Sequence, residues 1–81
     1  MNDEHVKFEG RLAVNRRERA QLQLRMQGLL RSIRDLLDPT VPVDGLDWEL
    51  AAAQATDGAN LQIQVHELKG EAQAIKNALG K

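Results

Sequence analysis

A chain of 81 residues without cysteine allows one domain at most and excludes disulfides and thiolate metal sites. Eleven Lys and Arg against twelve Asp and Glu leave a net charge of −1, so the chain as a whole is not the polycation that nucleic acid attracts. Leu, Ala, Gln, Arg and Glu dominate, and Phe8 and Trp48 are the only aromatics, a mix that suits long helices better than strands.

The first predicted helix runs from about Asp3 to Leu37. Asn2 or Asp3 can cap it, and Asp3 and Glu4 suit the positive end of its dipole. Alternating steps of three and four trace a heptad seam through His5, Phe8, Leu12, Asn15, Arg19, Leu22, Met26, Leu29, Ile33 and Leu36. Asn15 and Arg19 interrupt its apolar character. Two readings of that pair stand open: polar seam residues that fix register, or an exposed stretch where the stripe drifts toward Val14 and Ala20. Leu30 and Leu37 flank the seam and Leu24 lies away from it. This apolar surface is wider than one partner helix covers, so Leu24, Leu30 and Leu37 are candidates for an oligomer interface. Gly28, inside the helix, costs about 1 kcal/mol relative to Ala, and close approach by another helix would explain it.

Residues 38–44 form the expected turn, because Pro39 and Pro42 cannot continue a helix. Asp44 has the position of an N-cap, with Asp47 in the reciprocal place of a capping box and Val43 and Trp48 spaced as a hydrophobic staple. The second helix is then expected over about 45–79, with Gly80 as its stop and Lys81 at the negative end. Its seam reads Ala51, Gln54, Gly58, Leu61, Val65, Leu68, Ala72, Ile75 and Leu79. The first half is small, with Ala51, Ala52, Ala53, Ala55, Gly58 and Ala59. In an antiparallel hairpin these residues face Leu29, Leu30, Ile33, Leu36 and Leu37, and large against small favours close packing. Asp57-Gly58 could break this helix, but Gly58 on a tight interface is the preferred reading. The predicted class is therefore all-α: residues 1–81 form one antiparallel two-helix hairpin, coiled-coil-like, that assembles into a four-helix bundle as a homodimer.

Charge is unevenly placed. Between Gly10 and Arg34 stand Arg11, Arg16, Arg17, Arg19, Arg25, Arg31 and Arg34 against Glu18 alone; between Asp44 and Glu67 stand Asp44, Asp47, Glu49, Asp57 and Glu67 with no base. Arg16 and Arg19 share a face and could contact phosphate. Mutual neutralisation of the two helices is the preferred alternative, since no stacking aromatics accompany the arginines.

Catalysis has little to build on. A hairpin has no room for a dry pocket, and Ser32 is the only serine. His5 and His66 have neither His-x-x-x-His nor Glu-x-x-His spacing, so no metal or cofactor site is expected and no catalytic residue is assigned. The glycines are scattered and form no phosphate loop. No apolar run approaches the roughly 18 residues that span a bilayer, and the acidic start Met1-Asn2-Asp3-Glu4 is unlike a secretory signal, so a cytoplasmic location without membrane docking is expected.

The run Leu29-Leu30-Arg31-Ser32-Ile33-Arg34-Asp35-Leu36-Leu37-Asp38-Pro39, continued by Val41-Pro42-Val43-Asp44-Gly45-Leu46-Asp47 and Ala52-Ala53-Gln54-Ala55, resembles short helical-hairpin proteins encoded in Mu-like prophages. The likeness covers the turn and the adjoining helical turns. It implies a prophage context, no activity, and no functional residues to carry over. The functional expectation is a non-enzymatic structural or protein-interaction module that binds itself or another helical protein; the alternative is a nucleic-acid-binding accessory protein using Arg16 and Arg19.

Overall fold

The computed structural model describes residues 3–80, which form two long helices joined by a hydrogen-bonded turn. Helix α1 spans Asp3–Leu36 and helix α2 spans Trp48–Ala78, and they pack antiparallel along their lengths. The ribbon measures 65 × 16 × 14 Å. Among the described residues there is no strand, so the all-α hairpin read from the sequence is the fold. The expected roles of Asn2 and Lys81 lie outside the described residues.

The turn is more structured than a break between helices. Proline after Asp38 disfavours the helical conformation at that residue, which ends α1. The Asp38 carboxylate then folds back, accepting from the Thr40 backbone N–H at 2.9 Å and from its hydroxyl at 2.7 Å. A single 3-10 turn, Val43–Gly45, follows.

This 3-10 turn shifts the start of α2 to Trp48, past the position near Gly45 that the spacing suggests. Asp44 lies within the turn, so the N-cap is Asp47, whose side chain accepts from the Leu50 N–H at 3.0 Å. Val43 and Trp48 do not form an apolar staple. Both are exposed, and the Trp48 indole N–H donates to the Val43 carbonyl at 2.8 Å. At the other end Gly80 takes φ +74° and its N–H donates to the Asn77 carbonyl, a left-handed stop that glycine adopts without strain.

The heptad seam is where the sequence places it. Leu12 and Asn15 are buried on α1, and Ala51, Leu61, Val65, Ala72 and Ile75 on α2. Phe8, Arg19, Leu22, Met26, Leu29, Ile33 and Leu36 are half-buried, while His5 is exposed. Of the two readings of Asn15 and Arg19, the polar seam is the one observed: Val14 and Ala20 face solvent. Asn15 is 2 % exposed and its Nδ2 donates to the Leu68 carbonyl at 2.8 Å, a polar pin between the helices. Its Oδ1, together with Nε of Arg19 one turn on, has no hydrogen-bond partner.

Packing quality is unequal along the ribbon. Leu12, Ala72 and Ile75 form the buried cluster, with Phe8 and Leu79 against it, all far from the turn. Toward the turn the expected close fit of large against small is not achieved. Alanine and glycine stubs are too short to wrap a leucine from the side, and two helices alone cannot close around it. Helix α2 runs unbroken through Asp57-Gly58, and Gly58 is on the seam. It is not a tight contact, however, because a Cβ built there meets nothing within 4 Å. The same holds at Gly28.

Candidate self-association surface

Helical register puts Arg16, Gln23, Leu30 and Leu37 along one edge of α1, and Ala55, Gln62, Lys69 and Lys76 along the facing edge of α2. Where Leu30 and Ala55 come level, an open groove runs beside the seam. Met26, Leu29, Leu30 and Ile33 line it from α1, and Ala55, Gly58, Ala59 and Gln62 from α2. No charged side chain is among them. The opposite side of the seam at this level is polar, lined by Arg25, Gly28, Leu29, Asp57, Asn60, Leu61 and Gln64. The asymmetry arises from the small residues of α2, which expose the flanks of the leucines on one side only.

Leu30 stands over this groove with 57 % of its surface exposed, and half-buried Leu37 lies on the same edge nearer the turn. Leu24 is 69 % exposed but sits about 120° around the helix from Leu30, at 100° per residue. The structure therefore brings Leu30 and Leu37 to one side and leaves Leu24 on another.

No family model matches the chain, and no curated protein or solved structure matches it either.

The area exposed is itself informative. Globular monomers of 9.0 kDa expose about 4,900 Å² by the size scaling of accessible surface, whereas this chain exposes 6114 Å². The excess of roughly 1,200 Å² exceeds the roughly 800 Å² that each partner contributes to a standard protein interface.

The arginines do not neutralise against α2 as expected. The two helices are bridged by Arg11 and Glu71 at 3.9 Å, with both side chains about half exposed. Arg16, Arg17, Arg25, Arg31 and Arg34 make no ion pair among the described residues. Sequence position explains this. Five acids, Asp35, Asp38, Asp44, Asp47 and Glu49, crowd the turn end, and no base stands between Arg34 and Lys69. The hairpin thus has an acidic tip and a basic middle. Arg16 is exposed, but Arg19 is half-buried on the seam, so the pair does not form one open phosphate-facing cluster.

Other chemistry finds no footing among the described residues. No group of three or more His, Cys, Asp or Glu could hold a metal ion. His5 lies 3.7 Å from Glu9 on its own helix, and His66 is exposed. No helix is long and apolar enough to cross a membrane.

Two features escaped the sequence reading. One is the contribution of α2 to the exposed apolar surface through Trp48, Leu50 and Ile63, all exposed. For Ile63 the signal was available, since no charged residue occurs between Asp57 and Glu67. The other is the concentration of acid at the tip, legible in the run from Asp35 to Glu49 that contains no base.

Proposed function

We propose that this chain is a non-enzymatic helical module that self-associates, placing two hairpins side by side as a four-helix bundle, and acts as a structural or protein-interaction element. The observation that carries the reading is the uncharged groove under Leu30. A half-covered leucine and isoleucine row beside alanine and glycine is an unfinished core, and a second copy supplies the missing helices. Self-complementarity supports a second copy over an unrelated helix: each hairpin offers both a protruding Leu30 and a depression at Gly58 and Ala59 to receive it. The turn's resemblance to Mu-like prophage hairpins supports a prophage setting, and the polar surface supports a cytoplasmic one.

Light scattering across a concentration series, at low and high salt, tests this. A dimer mass is expected for the wild type and a monomer for Leu30→Asp, with the helical content of both retained. Wild-type monomer at tens of micromolar would sink the proposal.

A further inference from the structure

Granting that two copies associate through the groove, we infer that they do so antiparallel and offset, with the acidic turn of each hairpin lying against the basic middle of its partner. The acidic turn closes one end of the ribbon, and inward from it along one edge come the Leu30 and Ala55 groove, then Gln23 and Gln62, then Arg16 and Lys69. The last two are level with one another, because Asn15 hydrogen-bonds to Leu68 and so sets the register.

Two twofold arrangements can bury groove on groove. A parallel pair stacks tip on tip, facing Asp38, Asp44 and Glu49 with their own copies, and stacks Arg16 and Lys69 on theirs. Both ends then repel. An antiparallel pair, with its axis through the groove at the level of Gly28, exchanges the ends. Arg16 lies twelve residues before that level, about 18 Å at the helical rise, and α1 runs eight residues beyond it, about 12 Å, before the turn adds its own length. The exchange therefore sets Arg16 and Lys69 against the turn acids of the partner, twice over by symmetry. Opposite charges at that spacing steer encounter and select one orientation, whereas the groove supplies most of the burial. The excess exposed surface is large enough for such an interface.

The absence of cysteine makes the test direct. Val43, 73 % exposed at the tip, is replaced by cysteine and spin-labelled, and the distance between labels in the dimer is measured by double electron–electron resonance. The antiparallel pair gives tips on the order of 35 Å apart, and a parallel pair gives tips within about 20 Å, from the same helical rise. A short distance in a confirmed dimer overturns this arrangement and leaves the self-association reading standing; absence of any dimer overturns both. Charge reversal gives an independent readout. Arg16→Glu with Lys69→Glu weakens dimerisation about tenfold, from a few partly exposed pairs lost per dimer. Adding Asp35→Lys, Asp44→Lys and Glu49→Lys to the same chain restores it, because the turn then carries three lysines against Asp38 and Asp47 and attracts the acidic middle. Failure of this fivefold variant to recover overturns the antiparallel pairing, since in a parallel pair its like charges still face each other.

Discussion

Replacing Asn15 by leucine should make this protein more stable. Asn15 is 2 % exposed, and its Nδ2 donates to the Leu68 carbonyl at 2.8 Å. Losing that bond costs about 1 kcal/mol net. Against this, the variant removes a buried acceptor, Oδ1, that has no partner; such an atom costs about 1–3 kcal/mol of desolvation. Leucine also adds apolar burial of about 1.5–3 kcal/mol, less whatever a larger branched chain loses in fit. The balance is about 2 kcal/mol in favour of Asn15→Leu, which for a domain of this size raises Tm by about 8–16 °C. Thermal and urea unfolding followed by circular dichroism, at one fixed protein concentration because the transition includes association, reads it. A loss of more than about 1 kcal/mol would refute the reasoning. It would mean that Oδ1 is satisfied after all, Arg19 Nε being the available donor one turn away. A second readout bears on what the pin is for. Polar residues in a helical seam trade stability for a single register and partner number, so Asn15→Leu should broaden the distribution of solution masses.

Leu12→Ala should cost about 3 kcal/mol in urea unfolding, since Leu12 is 1 % exposed within the buried cluster, whereas Leu29→Ala, at a half-buried position, should cost clearly less in the monomer. Equal costs would show that the turn end is packed as well as the far end. Gly28→Ala should stabilise the protein by up to about 1 kcal/mol, because an added Cβ meets nothing within 4 Å on an exposed helical turn. Destabilisation there would reveal a close helix in the assembly. The Asp38 carboxyl is held below its ordinary value of 3.8, chiefly by the Thr40 backbone N–H and then by its hydroxyl. Its contribution to the turn is therefore complete above that ordinary value and is lost as pH falls through the lowered one. An NMR titration of the Asp38 carboxyl carbon at or above its ordinary value would contradict the hydrogen bonds.

The hairpin and its seam were legible because helical periodicity is a long-range signal: two stripes of nearly equal length flank two prolines, and each contact of the seam repeats the same spacing. The N-cap was misplaced because Asp44 and Asp47 both satisfy the local rule, and only the 3-10 turn between Pro42 and Leu46 decides which of them precedes a helix. The groove was half legible. Leu30 and Leu37 announced a second apolar edge, but the stretch from Ala51 to Ala59 looked like the complement of large leucines. Small residues do pack closely against large ones in a bundle of several helices; in a ribbon of two they leave the large ones open at the side. The fate of the arginines needed the fold outright, since neutralisation depends on which levels of the two helices coincide.

The distribution of packing along the ribbon also bears on how the chain finds its structure. Closing a loop costs more the longer it is, about 0.6 kcal/mol for each doubling. Pairing therefore starts beside the turn, where Ile33 and Ala51 are near in sequence, and spreads outward toward Leu12 and Ile75. The region that pairs first is the one least well filled, and the region that holds best comes together last. A register slip of one heptad is thus cheap when it is made and is tested only at the end, when Leu12 either packs against the small Ala72 or meets the bulkier Val65 or Leu79 that a slip brings opposite. In kinetic terms substitutions at Leu29 and Ile33 should slow folding, and those at Leu12 should mainly hasten unfolding.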